Sequence, residues 1–331
     1  MMMKRAAIVG ERKAELVDRP IPKPQGSEVL IKVHVAPMCT EYKAFIEGQA
    51  NDCLGHEAVG EVVEVAQEGP FKPGDRVVAM PLSGCGECDY CLAGDYIHCL
   101  SNPMKDAAMS QYIVKPAVCL RKIPDDISYE RAALACCGLG ASFGAIQKLG
   151  VSAYDTLLVT GLGPVGLGAV INAKFCGSKV IGVESNPYRI EVARKLGIDA
   201  VIDPRDPEAV QQIRALTGGA GPDCAVDCSG VPAAHRLCID AVRRKGKVAF
   251  VGECHTETPI VVSRDMIRKG IHLIGSWHYN LNDYPKLMNV IRHSKLTEHF
   301  VTHLFPMSRI QEALETSLSQ KCAKIMLKPW E

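Results

Sequence analysis

Four cysteines stand close together in one stretch of the chain. Cys85, Cys88, Cys91 and Cys99 follow the spacing C-x2-C-x2-C-x7-C. Four thiolates at this spacing match a closed tetrahedral zinc site, which has no open position and therefore performs no chemistry. A pair of disulfides and an iron–sulfur cluster are alternative uses of the same spacing. We interpret the stretch as a structural zinc lobe.

Three glycines have the spacing of a phosphate-binding turn. Gly161, Gly163 and Gly166 follow the apolar run 156–160 as G-x-G-x-x-G. The first glycine permits a tight turn, the second lets backbone approach a pyrophosphate, and the third lets a helix pack on the strand. The N-terminus of that helix offers free N–H groups to the phosphates. Glu184 ends the next strand, where a carboxylate accepts the ribose hydroxyls of NAD and repels the 2′-phosphate of NADP. The stretch therefore predicts NAD binding.

Other residues are expected to border the same cofactor. They lie at the start of the helix that follows the glycines, after the strand that ends at Glu184, or at the carboxyl ends of later strands. The set consists of Pro164, Val165, Ser185, Arg189, Ser229 and Gly252. Arg189 could soften the preference for NAD, although an exposed helix arginine is the commoner role.

A third group combines cysteine, histidine and glutamate. Cys39 closes one apolar strand, and His56 and Glu57 open the next β-rich stretch, which suggests a metal site. A single cysteine is more often a small buried hydrophobic residue. Cys136 and Cys137 lie in a helical stretch that also contains glycines, and each such glycine costs about 1 kcal/mol relative to alanine. Something must therefore approach that backbone closely, and a cofactor or a metal would satisfy the need.

The elements that must position these residues fall into two kinds. The first part of the chain is β-rich: strands are predicted at 6–18 and 28–36, a turn followed by a strand at 71–80, and short strands over 109–124. This part ends in a helix predicted over 128–147. The part after the glycines alternates between strands and helices, which predicts a doubly wound parallel sheet. Its six strands are expected at 156–160, 180–183, 200–202, 224–227, 247–251 and 271–276.

Composition excludes several classes of function. A formal net charge of +1 leaves no electrostatic footprint for nucleic acid or an anionic membrane. No apolar run reaches the ~18 residues that span a bilayer, and the N-terminus has no signal-peptide core. We therefore expect a cytoplasmic protein without membrane or nucleic-acid partners. In that compartment, fifteen cysteines point to metal binding rather than to disulfides.

The chain resembles the zinc-dependent medium-chain dehydrogenases/reductases, the alcohol dehydrogenase-like superfamily. The resemblance covers nearly the whole length and is carried by PxPxxxEVLIKV, GHEAVGEVVEV, KPGDRV, the four-cysteine lobe, GLGPVG, FPMSRIQEALE and KIMLKP. It implies an α/β protein with a GroES-like β-rich catalytic domain (1–137 and 280–331, with the lobe at 85–99) and a Rossmann domain (138–279). It also implies a homodimer or homotetramer formed through edge strands near 271–276.

The resemblance further implies a catalytic zinc ion beside the structural one. Its ligands here would be Cys39, His56 and Cys137, with Glu57 as a neighbouring carboxylate that helps ligand exchange. Cys137 is preferred over Cys136 because CGLGASFGA superposes on the family pattern C-G-x-x-x-x-x-G-A.

The proton relay departs from the family pattern C-G-[ST]-D-x-H. Here the run is Cys39-Thr40-Glu41-Tyr42-Lys43. If one residue is missing, Thr40 takes the hydroxyl role, Glu41 the acid and Lys43 the histidine position, and we favour this alignment. If none is missing, Glu41 takes the hydroxyl position and Ala44 the histidine position.

The resemblance implies reversible hydride transfer between an alcohol and NAD. The polar run His278-Tyr279-Asn280 favours a hydroxylated substrate: a polyol, sugar or cyclitol with a secondary alcohol. Simple alcohols or an amino-alcohol such as threonine remain alternative substrates. A zinc-free quinone or enoyl reductase of the superfamily would not need the cysteines, and a non-catalytic NAD- or zinc-binding sensor is the alternative from another class.

Overall fold

The computed structural model describes residues 1–101 and 107–331, which form two compact units. The first unit contains Met1–Cys137, Asn280–Arg292 and Val301–Glu331, and the second contains Gly138–Tyr279 and His293–Phe300. Each unit has its own apolar core. The division drawn from the sequence placed residues 293–300 with the catalytic part, whereas the structure groups them with the second unit.

Strands and helices are numbered along the chain. The strands are β1 Met2–Gly10, β2 Lys13–Pro20, β3 Glu28–Pro37, β4 Ala58–Val65, β5 Arg76–Ala79, β6 Tyr112–Pro116, β7 Leu120–Lys122, β8 Thr156–Thr160, β9 Lys179–Val183, β10 Ala200–Ile202, β11 Cys224–Asp227, β12 Lys247–Phe250, β13 His272–Gly275, β14 Val301–Pro306 and β15 Lys324–Lys328. The helices are α1 Tyr42–Glu47, α2 Asp89–Leu92, α3 Tyr129–Ala132, α4 Gly140–Leu149, α5 Pro164–Phe175, α6 Pro187–Lys195, α7 Ala209–Ala215, α8 Pro232–Ala241, α9 Tyr284–His293 and α10 Ile310–Leu318.

The first unit is built around one sheet with the order β14-β15-β3-β4-β5-β7, in which β6 also pairs with β3. Strands β4 and β15 both run antiparallel to β3, one on each side of it. The end of β3, the start of β4 and the start of β15 therefore lie at the same edge of the sheet. Residues at these three chain positions are brought together there.

The N-terminal strand predicted over 6–18 is wrong in one respect. Strands β1 and β2 form an antiparallel hairpin, and the chain reverses between Gly10 and Lys13. Arg12 adopts the left-handed conformation at the turn, with a φ of 51°. Gly10 and the polar residues Glu11, Arg12 and Lys13 mark this reversal, a turn signal that the single-strand interpretation overlooked.

The second unit contains a parallel sheet with the order β10-β9-β8-β11-β12-β13. This is the doubly wound arrangement predicted from the sequence, and the prediction is confirmed. Its central strands are buried on both faces, as in Leu157, Leu158 and Val159 of β8. Continuous apolar runs of this kind are typical of parallel strands covered by helices on both sides.

The single helix predicted over 128–147 is wrong. Ser128 does cap α3 by accepting a hydrogen bond from the Arg131 N–H. The helix then tightens and ends before Cys136, whose ψ of −139° is not helical, and α4 begins at Gly140. Among the described residues no single helix is long and apolar enough to cross a membrane. The two halves of this bent segment would meet that criterion only as a pair.

Candidate zinc centres and nucleotide site

A cluster of possible metal ligands lies at the shared edge of the first sheet. Cys39 follows β3, His56 and Glu57 precede β4, and Cys137 lies in the break between α3 and α4. One ligand atom from each of these four residues lies within 4.8 Å of the others. The broken helix is what brings Cys137 to the sheet edge, because a continuous helix would have carried the chain past it.

Glu41 orients the histidine of this cluster. One carboxylate oxygen of Glu41 accepts a hydrogen bond from the Cys39 N–H at 2.6 Å, and the other lies 3.7 Å from His56 Nδ1. His56 Nε2 lies 3.3 Å from the Cys137 sulfur. A ligand histidine in a metal site uses one nitrogen for the metal and gives the other to a carboxylate. Glu41 is thus placed as a carboxylate partner of His56, and its position in the relay alignment stays a prediction.

The thiols and the imidazole of this cluster shift one another's pKa values. A hydrogen bond from the Cys137 thiol holds the pKa of Cys39 well below its usual range. The same bond and burial raise the pKa of Cys137. Burial acts to lower the pKa of His56, but the hydrogen bond and the charge of Cys39, together with Glu41, raise it to about 10. Zinc binding at neutral pH must therefore displace protons from His56 and Cys137.

The donor set fits a catalytic zinc ion. Two thiol sulfurs and one imidazole nitrogen are ligands that zinc prefers, and three protein ligands leave the fourth tetrahedral position open. The ligand atoms are already close enough to share one ion. Glu57 adds little as a ligand here because both of its oxygens already have protein partners, the Cys137 N–H at 3.0 Å and the Lys324 ammonium at 2.7 Å.

Lys324 is a functional candidate that reasoning from the sequence missed. Its side chain and that of Glu57 are fully buried and form an ion pair, and Lys324 also donates to the Met38 carbonyl at 2.8 Å. Burial opposes the charge on Lys324, but the attraction of Glu57 raises its pKa above the ordinary value. The signal in the sequence was a lysine at the head of the apolar strand β15, which needs a partner once it is buried.

Thr40 and Lys43, the predicted relay residues, lie at the start of α1 and are both exposed. The Lys43 N–H donates to the Thr40 carbonyl at 2.9 Å, so the two residues share the first turn. Their place in the chain, directly after the candidate ligand Cys39, is the one that the relay hypothesis requires. The relay itself stays a prediction.

The four-cysteine lobe forms a second compact cluster in the first unit. The sulfurs of Cys85, Cys88, Cys91 and Cys99 lie within 4.8 Å of one another. All fifteen cysteines fall within the described residues and each is a free thiol, so the disulfide interpretation is wrong. Backbone N–H groups of Glu87 and Cys88 lower the pKa of Cys85 to about 6. Such N–H donors stabilise a thiolate, the form that binds zinc.

The side chain of Asn280 forms hydrogen bonds with the loop of this lobe and is used there. Its side-chain amide donates to the Ala93 carbonyl and to the Asp95 carboxylate, both at 2.9 Å. A side chain at Gly94 would meet the Asn280 oxygen at 2.4 Å, so the loop and Asn280 fit closely. Tyr279, in the second unit, is 4% exposed and packs edge-on against Phe143. Asn280 and Tyr279 therefore take part in packing, and these two residues do not support the argument for a hydroxylated substrate.

The glycine turn of the second unit has the geometry that its sequence predicts. Gly161 has a φ of 78°, and a Cβ on Gly166 would lie 1.9 Å from the Gly161 carbonyl oxygen. A Cβ on Gly163 would meet only the Arg189 guanidinium, at 3.9 Å. The protein itself therefore leaves room at Gly163, as a cofactor phosphate would require. Pro164 begins α5 and Val165 follows it.

Glu184 stands at the carboxyl end of β9, bound to backbone. It accepts hydrogen bonds from the N–H groups of Leu162, Ser185 and Asn186 at 2.8–3.0 Å. Its carboxylate also lies 3.8 Å from the Arg189 guanidinium, whose Nε is buried without a hydrogen-bond partner. A carboxylate beside the glycine turn and an unpaired buried donor next to it are features that a bound dinucleotide would use.

Ser229 and Gly252 follow the neighbouring strands β11 and β12. The Ser229 hydroxyl donates to Asp227 at 2.6 Å, and a Cβ on Gly252 would lie 2.2 Å from the Gly230 nitrogen. Buried Asp227 also accepts from Thr160 at 2.8 Å and so ties the ends of β8 and β11 together. These two loops close the same edge of the sheet as the glycine turn.

Comparisons with known proteins agree with this geometry. The model of the zinc-binding dehydrogenase family matches residues 164–293, and that of the alcohol dehydrogenase GroES-like domain matches residues 25–125. The sorbitol dehydrogenase of Bacillus subtilis (strain 168) is 33% identical over 351 residues, which cover 99% of this chain and 97% of that protein. The D-arabitol-phosphate dehydrogenase of Enterococcus avium is 28% identical and covers 96% of this chain and 94% of its own.

Similarity to solved structures extends over both units. The alcohol dehydrogenase TADH from Thermus sp. ATN1 has a TM-score of 0.90 and 25% identity, and the match covers 98% of this chain and 99% of that one. The resemblance stated from the sequence is thereby confirmed. The chain belongs to the zinc-dependent medium-chain alcohol dehydrogenase family, whose members are NAD-dependent oxidoreductases built from a GroES-like domain and a Rossmann domain.

Proposed function

We propose that the chain oxidises a secondary alcohol of a polyol, sugar or cyclitol with NAD and reduces the corresponding ketone in reverse. The observation that carries the proposal is the convergence of Cys39, His56 and Cys137 at one edge of the first sheet. Support for the substrate class comes from nearly full-length similarity to a sorbitol dehydrogenase. Asn280 and Tyr279 do not support it.

In this proposal Cys39, His56 and Cys137 hold the catalytic zinc ion. When bound, zinc supplies a Lewis acid that lowers the pKa of an alcohol hydroxyl, and NAD supplies the hydride acceptor. Glu41 fixes the orientation of His56 through Nδ1. The Thr40 hydroxyl carries the substrate proton outward, and Lys43 replaces the usual histidine as the last member of the relay. The position of Glu41 supports this alignment over the one that uses Ala44.

A substrate panel tests the proposed function. The zinc-assayed enzyme would be given NAD with primary alcohols, secondary alcohols, threonine, polyols, sugars and inositols, and NADH formation would be followed at several pH values. We expect turnover on the polyols, sugars or inositols at much higher kcat/KM than on the other compounds. Turnover confined to simple alcohols or to threonine would contradict the substrate class. If no compound of the panel supports NADH formation while both zinc sites are filled, the assignment as a dehydrogenase is contradicted.

We further propose that Glu184 and Arg189 flank the adenosine ribose of NAD and that Gly161, Gly163 and Gly166 accommodate the pyrophosphate. Pro164, Val165, Ser185, Ser229 and Gly252 are proposed to border the cofactor. Support comes from the open space at Gly163 and the unpaired Arg189 Nε.

Glu184→Gln is expected to reduce the preference for NAD over NADP by about 10-fold or more. The amide removes a charge that repels the 2′-phosphate, and a hydrogen bond to a charged group contributes about 1.5–3 kcal/mol. The measurement is kcat/KM for each cofactor. Glu191→Gln on the exposed face of α6 is the matched control and should leave the ratio unchanged. An unchanged ratio in Glu184→Gln would contradict the assignment.

Cys91→Ala is expected to remove one zinc ion per chain and to lower the free energy of unfolding by about 4 kcal/mol or more, as loss of a structural metal does. Zinc would be counted by atomic absorption, and stability would be measured by denaturant unfolding. Cys119→Ala is the control, since this buried cysteine accepts the Gly84 N–H at 3.2 Å beside the lobe but lies outside the four-sulfur cluster. Full zinc content in Cys91→Ala would refute a zinc lobe.

The oligomeric state and compartment are also proposals. Strand β13 lies at one end of the second sheet, and an edge strand offers unpaired N–H and C=O groups to a partner. Val262, Ile267 and Trp277 nearby are exposed. We infer a homodimer or homotetramer joined through β13, which light scattering would test; a monomer would contradict it. The free thiols support a reducing compartment such as the cytoplasm.

A further inference from the structure

A cavity of about 710 Å³ opens in the second unit, away from the nucleotide site. Its lining includes Ala220 before β11, Arg243 and Arg244 before β12, and Arg268 and Lys269 before β13. In a parallel sheet the amino ends of the strands share one edge. The cavity therefore lies at the edge opposite the glycine turn and Glu184, which follow the carboxyl ends.

The cavity is strongly basic. Seven arginine or lysine side chains line it, against two carboxylates. The chain as a whole carries a formal net charge of only +1, so this concentration of positive charge is local. We call this site the arginine cavity.

The two carboxylates are already shared among arginines. Arg236 binds Asp240 at 2.6 Å and Asp265 at 2.8 Å, and Arg264 binds Asp265 at 2.7 Å. Outside the lining, Asp223 pairs with Arg243 at 2.7 Å. Within the part of the chain that the structure describes, these pairs use the nearby carboxylates, and the other cations of the cavity form no ion pair with a carboxylate.

Backbone carbonyls hold three of those remaining cations in place. Arg214 donates to the Asp240 carbonyl at 2.7 Å, Lys269 to the same carbonyl at 2.9 Å, and Arg244 to the Arg268 carbonyl at 2.8 Å. A carbonyl orients a cation but brings no compensating charge. The fold thus fixes several cations around one space, an arrangement that self-repulsion disfavours unless an anion occupies it.

The pKa of Lys269 is lowered by burial and, to a smaller extent, by neighbouring cations. Burial first, and then the charge of Arg214, lower its pKa to about 8. Asp240 and Asp265 act in the opposite direction and do not restore the ordinary value. The charge of Arg214 thus acts on Lys269 in the direction expected for neighbouring cations, in addition to burial.

We propose that the arginine cavity binds a polyvalent phosphate ligand, a chain of phosphoryl groups that is either free or part of a nucleotide. Guanidinium groups match phosphate oxygens in pairs, which favours phosphate over a diffuse counter-ion. The volume lies within the range of small-molecule sites and exceeds what one phosphate would fill. The concave shape suits a small ligand better than the face of another protein.

The test is calorimetric titration of the zinc-loaded enzyme with inorganic tripolyphosphate and, separately, with ATP. Saturating NADH keeps the glycine turn occupied, and salt near 0.1 M screens nonspecific attraction. We expect one saturable site per chain for tripolyphosphate. Equal affinities would identify the phosphate chain as the whole ligand, and tighter ATP binding would assign contacts to the nucleoside as well.

The variant Arg214→Gln/Arg268→Gln removes two exposed cations of the cavity and is expected to weaken binding at least 10-fold. Arg194→Gln/Lys179→Gln removes two exposed cations elsewhere on the same unit and should bind as the parent does. Thermal melting would verify that both variants are folded. The variant Arg214→Lys/Arg268→Lys should bind with intermediate affinity, because it keeps the charge and loses the paired hydrogen-bond geometry of the guanidinium groups.

Three results would overturn the proposal. They are no saturable binding to the parent enzyme at millimolar tripolyphosphate, equal weakening in the cavity variant and its control, and ATP binding that NADH abolishes. Since NADH titration and dehydrogenase turnover are measured separately, failure here is distinct from failure of the proposed function.

Discussion

Cys137→Ala is expected to lower kcat/KM by about 10³-fold or more, because a Lewis acid supplies several kcal/mol of transition-state stabilisation and each 1.36 kcal/mol is a factor of ten. The variant should also lose one zinc ion per chain. The reason is geometric: the Cys137 sulfur lies 3.3 Å from His56 Nε2 and within the ligand cluster. Zinc content by atomic absorption and NADH formation on the best substrate of the panel are the two measurements.

The neighbouring cysteine provides the matched control. Cys136 is buried, lies outside the cluster, and its sulfur is directed to the Ala79 carbonyl at 3.7 Å. Cys136→Ala should keep both zinc ions and most of the activity, at the cost of a small cavity. If Cys136→Ala loses the metal and Cys137→Ala retains it, the ligand assignment is reversed.

Lys324→Met is expected to lower the free energy of unfolding by about 3–5 kcal/mol, the usual cost of leaving one partner of a buried ion pair alone. Glu57 and Lys324 are both fully buried, with 2.7 Å between their charged atoms. Burial raises the pKa of Glu57 and the Lys324 ammonium opposes that rise, so loss of the lysine disfavours the charged form of Glu57. Denaturant unfolding of the zinc-loaded chain measures the loss.

The same substitution should lower activity by about 10–100-fold, the usual effect of removing a partner that positions a metal ligand. Glu57 accepts the Cys137 N–H at 3.0 Å, so its position and that of the ligand are linked. The double variant Glu57→Gln/Lys324→Met removes both charges and should recover most of the lost stability. If the double variant recovers stability but not activity, the ion pair has two separate roles: one in stability and one in positioning the ligand Cys137.

A second ion pair on β15 serves as the control. Lys328 pairs with Glu130, and both side chains are partly exposed. Lys328→Met should therefore cost about 1 kcal/mol or less, as exposed pairs do. If Lys324→Met costs no more than Lys328→Met, the buried pair does not contribute to stability as argued.

Local motifs could be predicted from the sequence because the residues that form each of them lie within one turn or one short segment. The glycine turn depends only on residues 161–166, because the φ of Gly161 and the close contact of Gly166 with Gly161 both arise within these six residues. Cys85 and its three partners lie within a fifteen-residue segment. Ser128 caps the helix that begins next to it. The six parallel strands were equally clear, because strands buried on both faces read as continuous apolar runs.

Contacts between functional residues that are far apart in the sequence could not be predicted in this way. Family resemblance supplied Cys39, His56 and Cys137 as ligands, but no spacing in the sequence could have joined residues so far apart. The sequence allows Glu41 two alternative roles, and only the tertiary structure showed its carboxylate beside His56. The sequence suggested that Asn280 contacts the substrate, whereas its hydrogen bonds to Ala93 and Asp95 show that it supports the four-cysteine lobe.

The sequence by itself determined the fold class, the glycine turn, the four-cysteine lobe and the family, because each depends on neighbours along the chain. Only the tertiary structure decided the break before Cys137, the pairing of Glu57 with Lys324 267 positions away, and the gathering of basic side chains in the arginine cavity. Sheet order sets these contacts: β4 and β15 flank β3, and the amino ends of parallel strands meet at one edge. A charge acquires its partner only when strands that are distant in sequence become neighbours.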